Sequence, residues 1–363
     1  MTVKSSFFAA SVAILIVALA PAQDALVGGP YAVNVGPRSA TVVWVVNSGT
    51  VSLRGPDAKE ISAPALRSEK VHFTGLKPGT SYTYEGLGLA GVKGSFTTAP
   101  SDPAAFEFVV YGDTRTRHEM HRKVVAAILK YSSPQFVLHT GDLLADGADS
   151  GQWPVFFDIE RELLRKAAFF PSLGNHERNN EQYYDFFNVS TPYYSFNWGG
   201  AHFIVIDSDI GNVSRSESAR DAFWTEQRRW LEEDLQHSQS AQFRFVFAHH
   251  PPLTAVTRRQ GDNPQMTALM PMFEKYKVTA GFFGHDHNYQ HYVKDGVNYF
   301  ITGGGGAPLY DVDKPPEGIT KMVVSTEHFL DVKVDAGKVH VEAIKLDGQP
   351  LETTVLGEPA ETR

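Results

Sequence analysis

Five apolar runs in the second part of the chain each end in polar side chains, and this arrangement constrains the fold most strongly. The polar ends read YGDTR (111–115), TGDLLADG (140–147), LGNHE (173–177), FAHHP (247–251) and FGHDHN (283–288). Amphipathic segments near 117–131, 153–166, 223–237 and 265–276 predict helices between the runs, the first starting with a capping box of Thr116 and Glu119. Buried strands that alternate with helices predict an α/β domain.

The polar ends offer the residue types of a metal site. Ligand sites in open α/β sheets gather at the carboxyl ends of strands. Aspartate, asparagine and histidine are available there, and the chain has no cysteine. This donor set suits two ions such as Mn, Fe or Zn. A single Gly-Asp pair is more often a plain turn, so the prediction depends on the whole ordered series.

The region before these runs has a different pattern. Residues 24–100 contain short alternating strands with glycine and proline between them, which predicts a small β-sandwich. A linker is expected at 98–105, an α/β domain at 104–348 and a tail at 349–363. From position 297 the chain again contains strands, which are expected to add to a sheet in antiparallel fashion. The β-sandwich need not bind anything itself.

The N-terminus has the layout of a secretory signal peptide. One lysine precedes an apolar run over 7–19, and Ala20-Pro21-Ala22 forms an A-x-A cleavage site. Removal of residues 1–22 would leave an exported protein in the periplasm, in the cell envelope or outside the cell. The alternative is an uncleaved anchor, although the run is short against the roughly 20 residues of a membrane span. No other stretch is suited to cross a bilayer.

Charge and cysteine content narrow the function further. A formal net charge of -8 argues against binding a nucleic-acid backbone, which requires clustered lysine and arginine. The absence of cysteine excludes disulfides, zinc–thiolate sites and thiol catalysis. A small phosphorylated substrate remains compatible, because metal ions can supply positive charge locally.

The motif series GD, GD, GNHE, V-x-x-H and GHDH resembles that of the calcineurin-like metallophosphoesterase superfamily. YYSF followed by HFIVIDS is similar to its purple acid phosphatase branch, and GLKPGTSYTYEG with GSFTTAP resembles a fibronectin type III-like domain. The resemblance implies an N-terminal all-β sandwich followed by an α/β metallophosphoesterase domain built as an αββα four-layer sandwich. It also implies an acid phosphatase-like enzyme with two metal ions, in which a metal-bound hydroxide attacks a phosphomonoester.

The resemblance assigns roles to individual positions. Asp142 would bridge the two metal ions. His176 would contact the phosphoryl group or protonate the leaving oxygen, unless it only orders its loop. His250 is the alternative to one of the ligands, His249. The complete implied ligand set is Asp113 and His287 for the first ion, Asn175, His249 and His285 for the second, and Asp142 for both.

Two positions depart from the family pattern. Ala145 stands where purple acid phosphatases carry a tyrosine ligand, so no ferric–tyrosinate chromophore is expected. Arg115 stands where many other members carry histidine. Arg115 is expected to bind the substrate phosphate with both arms of its guanidinium, or else to form an ion pair with a nearby carboxylate.

His118 is expected to reach the site, or else to be a surface residue. Asp146 is left outside the ligand set.

Two other functions stay open at this stage. A phosphodiesterase or nucleotide hydrolase would use the same metal ions. A surface binding protein with a decayed metal domain belongs to another class, and the complete ligand series argues against it. The sequence determines neither the natural substrate nor the oligomeric state.

Overall fold

The computed structural model describes residues 24–54, 60–86, 91–101, 103–335 and 337–357 of the 363-residue chain. The expected signal segment 1–22 lies outside the described residues. In the described part, no helix combines the length and the apolar character needed to cross a bilayer.

The described chain alternates between strands and helices after an all-β start. Its helices are α1 (His118–Tyr131), α2 (Trp153–Leu164), α3 (Glu181–Phe187), α4 (Glu217–His237), α5 (Pro264–Thr267) and α6 (Met270–Lys275). Its strands are β1 (Ala25–Val33), β2 (Ser39–Arg54), β3 (Glu60–Thr74), β4 (Ser81–Gly86), β5 (Val92–Thr97), β6 (Phe106–Tyr111), β7 (Phe136–His139), β8 (Ala168–Pro171), β9 (Tyr194–Trp198), β10 (Ala201–Val205), β11 (Phe243–Ala248), β12 (Ala280–Phe283), β13 (Tyr289–Lys294), β14 (Val297–Thr302), β15 (Thr320–Val324), β16 (His328–Asp335), β17 (Lys338–Lys345) and β18 (Pro350–Leu356).

The strands form four sheets. The N-terminal region contains an antiparallel sheet of β1, β2 and β3 and a ribbon of β4 and β5. Beyond it lie a six-stranded sheet, ordered β18-β17-β16-β6-β7-β8, and a seven-stranded sheet, ordered β15-β13-β14-β12-β11-β10-β9. The strands β6, β7 and β8 are parallel, and so are β10, β11, β12 and β14. The late strand β16 joins β6 in antiparallel fashion, as expected, whereas β14, which begins at Val297, pairs with β12 in parallel, contrary to the expectation for the strands from 297 onward.

Phenylalanine side chains fill the space between the two large sheets. Phe108 and Phe136 stack with ring centroids 5.0 Å apart, and Phe203 meets both edge-on at 5.4 Å. Burying each such ring contributes roughly 1.5–3 kcal/mol. The helices α1 and α2 cover the outer face of the six-stranded sheet, and α4, α5 and α6 cover the seven-stranded one. The predicted fold, an all-β region followed by a four-layer αββα sandwich, is confirmed.

The N-terminal region shares its core with the α/β region. The ring of Tyr31 on β1 stacks on Phe157 of α2 at 5.6 Å, and its hydroxyl donates to the carbonyl of Phe186 at 2.7 Å. Ala32 and Phe96 belong to the core between the large sheets. The two regions therefore pack as one continuous hydrophobic interior.

Two local predictions differ from the structure. The segment 265–276 forms two short helices, because Pro271 in the first turn of α6 has no N–H and cannot continue α5. The capping box at α1 is also wrong. Thr116 has a φ of 72°, its hydroxyl donates to the carbonyl of Arg115, and α1 begins after Arg117 without a side-chain cap.

Candidate metal centre

The polar side chains lie at neighbouring strand ends. The loops after β6 and β7 are joined by backbone hydrogen bonds from Asp113 N to Gly141 O and from Thr114 N to Asp142 O, both 3.0 Å. The loop after β12 is held to that after β11 by Gly284 N and His249 O at 2.9 Å. Gly147 N donates to His176 O at 2.7 Å and joins the loop after β8 to that after β7, so all five sequence motifs lie at one edge of the double sheet.

Three of the proposed ligands have a left-handed backbone. The φ angles are 60° at Asp113, 56° at Asp142 and 68° at His285. Residues other than glycine rarely adopt this conformation, and it concentrates at functional sites. Each of the three follows a glycine at the end of a buried strand, and the turn directs the side chain across the sheet edge.

A first cluster contains Asp113, Asp142 and His287. His287 Nε2 lies 3.4 Å from Asp113 Oδ1. The Nδ1–H of His287 donates to the carbonyl of Pro308 at 2.6 Å, so the lone pair is on Nε2. Asp113 Oδ2 accepts the backbone N–H of His285 at 2.9 Å, whereas its buried Oδ1 has no hydrogen-bond partner in the described chain. A buried carboxylate oxygen without a hydrogen-bond donor fits the role of a metal ligand.

A second cluster contains Asn175, His249 and His285. Asn175 Oδ1 lies 3.2 Å from His249 Nε2 and 3.1 Å from His285 Nδ1, and these two nitrogens are 3.2 Å apart. The Nδ1 of His249 donates to the carbonyl of Thr140 at 2.8 Å, which leaves the Nε2 lone pair facing the cluster. The lone pairs of Asn175 Oδ1 and His249 Nε2 converge beside His285 Nδ1, and this set of donor atoms fits a bound metal ion.

Asp142 lies between the two clusters. Its Oδ1 is 3.3 Å from His249 Nε2 and accepts the backbone N–H of His176 at 3.1 Å. Its Oδ2 faces Arg115. Burial alone would raise the pKa of Asp142, but His249, His176 and Arg115 lower it, so the net shift is downward and the carboxylate is ionised. A shared carboxylate is suited to two neighbouring cations because it reduces their repulsion.

His250 is close to the second cluster but faces another partner. Its Nδ1 is hydrogen bonded to Ser208 Oγ at 2.9 Å, and its ring packs 4.2 Å from that of His285. One of its nitrogens lies within 4.8 Å of nitrogens of His249 and His285. His249 is nevertheless the histidine that contacts both Asn175 and Asp142. Burial, His250 and His249 lower the pKa of His285, which keeps its ring neutral.

Arg115 lies inside the site and His118 lies outside it. Arg115 Nε donates to Asp142 Oδ2 at 3.1 Å, and its Nη2 lies 3.4 Å from His287 Nε2. The ion-pair alternative for Arg115 is therefore the arrangement observed. His118 is exposed at the first residue of α1, and within the described chain its ring has no hydrogen bond to any ligand side chain. Because α1 starts there, the structure does not bring His118 to the cluster.

His176 stands at the open side of the site. Its Nδ1 donates to the carbonyl of Ala145 at 2.6 Å, and its Nε2 lies 3.8 Å from Asp142 Oδ2. The side chain is 29% exposed, so a substrate can reach it. Ala145 therefore contributes a backbone carbonyl where the family pattern has a ligand side chain. Asp146 turns away to pair with Arg178 at 3.1 Å.

Glu177 was not singled out from the sequence, although it ends the GNHE motif. Its buried carboxylate accepts backbone N–H groups of Gly174 at 2.7 Å, Leu143 at 2.8 Å and Asp142 at 2.9 Å. It thereby fixes the loops after β7 and β8 to each other. Gly174 is required at this junction, since a Cβ there would lie 2.3 Å from the backbone nitrogen of Asp142.

Arg259 was also missed, since its long loop carries no recognisable motif. Its Nη1 contacts His285 Nε2, and its Nη2 donates to the Tyr310 hydroxyl at 3.3 Å. Tyr310 in turn stacks on His287 at 4.1 Å. Arg259 therefore adds a second guanidinium at the rim of the site, on the outer nitrogen of His285.

Comparison with known proteins identifies relatives of this arrangement. A model of the family described as calcineurin-like phosphoesterase matches residues 106–289. The chain is 24% identical over 320 residues to a probable purple acid phosphatase of Arabidopsis thaliana, covering 75% of this chain and 72% of the relative. It is 24% identical over 315 residues to tartrate-resistant acid phosphatase type 5 of Sus scrofa, covering 74% and 91%.

Solved structures show the same fold. A purple acid phosphatase from yellow lupin (Lupinus luteus) seeds is similar with a TM-score of 0.71 at 16% identity, over 92% of this chain and 74% of that one. PhoD is similar with a TM-score of 0.61 at 10% identity, over 92% of each chain.

Proposed function

We propose that this chain, which belongs to the calcineurin-like phosphoesterase family, is an exported two-metal enzyme that hydrolyses phosphomonoesters. The observation that carries the proposal is the position of Asp142, which forms a cluster with Asp113 and His287 and has its Oδ1 3.3 Å from His249 Nε2 of the second cluster. The proposed ligands are Asp113, Asp142, Asn175, His249, His285 and His287. Their carboxylate, amide and imidazole donors suit Fe, Mn or Zn.

The bound ions would supply Lewis-acid polarisation of the phosphoryl group and a water molecule of lowered pKa. The chain's own side chains would orient the ester. The phosphoryl oxygens would lie on the open side of Asp142, within reach of the guanidinium of Arg115, which can hold two oxygens at once. This positioning is the main protein contribution to phosphoryl transfer.

His176 would handle the proton of the leaving group. Its Nδ1–H is held by the Ala145 carbonyl, so the ring can carry a second proton on Nε2. That proton would pass to the leaving oxygen as the phosphorus–oxygen bond breaks. The carbonyl fixes the orientation of the ring, and the exposed face of His176 admits the substrate.

A substrate comparison tests the proposal. Purified protein is loaded with Mn, Fe or Zn and assayed with p-nitrophenyl phosphate and bis(p-nitrophenyl) phosphate. Monoester hydrolysis is expected to dominate and to disappear in Asp142→Asn, because the amide removes the shared charge. Asp146→Asn, four residues after Asp142, is the matched control, since the carboxylate of Asp146 pairs with Arg178. A strong diester preference would reject the monoester assignment, and unchanged hydrolysis in Asp142→Asn would reject the site.

Export and the domain boundaries are also part of the proposal. Residues 1–22 have the signal-peptide pattern, and we propose that cleavage after Ala22 releases the protein into the periplasm, the cell envelope or the medium. N-terminal sequencing of the protein recovered from these fractions tests the cleavage site. The proposed boundaries remain 24–100 for the fibronectin type III-like region, 104–348 for the catalytic domain and 349–363 for the tail.

A further inference from the structure

Arg115 occupies the edge of the first cluster. Its Nε is 3.1 Å from Asp142 Oδ2, and its Nη2 is 3.4 Å from His287 Nε2. The side chain is only 15% exposed. One guanidinium therefore directs N–H groups at two of the lone pairs that belong to the first cluster.

These lone pairs are the ones that a metal ion would use. Zn²⁺, for example, binds imidazole nitrogen and carboxylate oxygen at about 2.0–2.2 Å through the lone pair itself. A lone pair that accepts an N–H is not available for that bond. A dication near the guanidinium would also be repelled by its fixed positive charge, since guanidinium stays protonated in proteins.

At the second cluster, no guanidinium of the described chain is directed at Asp142 Oδ1, Asn175 or His249. Asp142 Oδ1 accepts only the backbone N–H of His176 among the described residues. Arg259 contacts His285 at Nε2; because a guanidinium only donates, that nitrogen accepts, and Nδ1 carries the ring proton 3.1 Å from Asn175 Oδ1. Asp142 Oδ1, Asn175 Oδ1 and His249 Nε2 thus face the second position without a guanidinium on them, and His285 Nδ1 adds a fourth donor once its proton moves to Nε2. The first position has three donors, and two of them are directed at Arg115.

We infer that Arg115 competes with the first metal ion for Asp142 and His287, so that the two metal positions fill unequally. The second position binds one ion tightly. The first position binds its ion weakly, and the guanidinium supplies a positive charge there until the ion displaces it. This inference rests on the proposed metal centre, and it concerns metal binding, which is measured separately from hydrolysis.

Calorimetric titration of metal-stripped protein with Zn²⁺ tests the inference. The wild-type protein is expected to bind two ions in separate steps, with the second step at least about tenfold weaker. Arg115→Gln removes the charge and is expected to tighten the weak step by about tenfold or more, because a unit charge a few ångströms away is lost. Asn175→Ala should remove the tight step and His287→Ala the weak one.

Arg117→Gln is the matched control. Arg117 belongs to the same loop, but its guanidinium pairs with Glu327 at 3.0 Å and does not touch the ligand side chains. Both titration steps should be unchanged in this variant. Far-UV circular dichroism checks that each variant is folded, and Arg115→Met serves as a second neutral replacement.

If the wild-type protein bound both Zn²⁺ ions with equal affinity, that result alone would overturn the inference. An unchanged or weaker second step in Arg115→Gln would overturn it as well. Hydrolysis of p-nitrophenyl phosphate by the same samples is recorded in parallel. If the steps are unequal and respond to Arg115 but no ester is cleaved, the proposed function fails and the inference stands.

Discussion

At the scale of single residues, the histidine tautomers and their hydrogen-bond partners decide which atoms can bind a metal ion. His249 and His287 each donate Nδ1–H to a backbone carbonyl, at Thr140 and Pro308, and so present Nε2 to the site. Such outer hydrogen bonds orient ligands and raise their basicity. The same principle applies to His176, whose held Nδ1–H leaves Nε2 free for the substrate rather than for a metal ion.

Replacement of His176 tests its role as a proton donor. His176→Asn is expected to lower kcat for an alkyl phosphate by about 10²–10⁴-fold, the usual contribution of general acid–base catalysis. The loss should be smaller for p-nitrophenyl phosphate, whose leaving group needs no proton. Steady-state kinetics and metal analysis measure both effects.

Metal content should stay the same in His176→Asn, because Asp142 is contacted by the backbone N–H of residue 176. The exposed His237, at the end of α4, provides the control His237→Asn. Equal losses for the two leaving groups would show that His176 only orders its loop.

The side chain at position 145 predicts the colour of the metal-loaded protein. Alanine has no donor atom, and only its carbonyl takes part, by accepting His176 Nδ1–H. Tyr310 lies beside His287, but its ring stacks on the imidazole and its hydroxyl accepts a hydrogen bond from Arg259. We therefore expect an iron-loaded sample without an intense visible charge-transfer band. A strong band in the absorption spectrum that Tyr310→Phe abolishes would contradict this.

At the scale of elements, the site depends on how strand ends are fastened to each other. Glu177 ties the loop after β8 to the backbone that follows β7, and the loops after β11 and β12 are joined by Gly284 and His249. On the C-terminal side, β16 begins with His328, buried against the glycine-rich loop after β14. A Cβ at Gly304 would lie 2.3 Å from His328 Nδ1.

His328 should make the fold sensitive to acid. Burial lowers its pKa to about 4, and its Nε2 has no partner in the described chain. Between about pH 6.5 and pH 4 the unfolded chain binds a proton at this residue and the folded chain does not. Its contribution to stability is therefore intact above pH 6.5 and falls as the pH drops to 4, by up to about 1.4 kcal/mol per pH unit.

Urea unfolding at pH 4 to 7 measures this effect. His328→Gln should reduce the loss of unfolding free energy over that range, relative to the wild-type protein. His340→Gln replaces an exposed histidine on β17 and is the control. The same pH dependence in all three proteins would show that His328 does not contribute.

At the scale of the whole molecule, the N-terminal β region is part of the interior. Beyond the Tyr31 contacts, Ser68 donates from its backbone and its hydroxyl to the carboxylate of Asp185 at 3.0 and 2.7 Å, and Ser95 N donates to Arg165 O at 2.7 Å. Shared cores couple the unfolding of the regions they join. We therefore expect one cooperative unfolding transition.

Glycine replacements test that coupling. At Gly28 on β1, a Cβ would lie 2.4 Å from the ring of Phe157 on α2. Gly28→Ala is expected to lower the unfolding free energy of the whole chain by about 1–3 kcal/mol, the usual cost of overpacking. At Gly36 the added Cβ meets only Ser39 Oγ at 3.6 Å, so Gly36→Ala is the control. Two separate thermal transitions, with only one shifted in Gly28→Ala, would contradict the coupling.

The residue pattern alone determined the α/β class and the strand ends, and the family resemblance supplied the order of the layers. Apolar runs separated by amphipathic segments specify buried strands and covering helices, because side-chain period follows local backbone geometry. Glycine before Asp113, Asp142 and His285 marked the turns that expose those residues. The resemblance, which the family match confirms, then indicated which residues to group together. Their roles as ligands stay predictions.

Only the tertiary structure decided what each side chain faces. Arg115 was expected to hold phosphate or a carboxylate, and its contacts with Asp142 and His287, 27 and 172 positions away, appear only in the folded chain. Glu177 and Arg259 contact residues of other loops, and no local sequence pattern relates those loops to each other. The shared core around Tyr31 likewise depends on residues far along the chain. Hydrogen bonds and ion pairs of this kind depend on three-dimensional distance, which residue spacing does not encode.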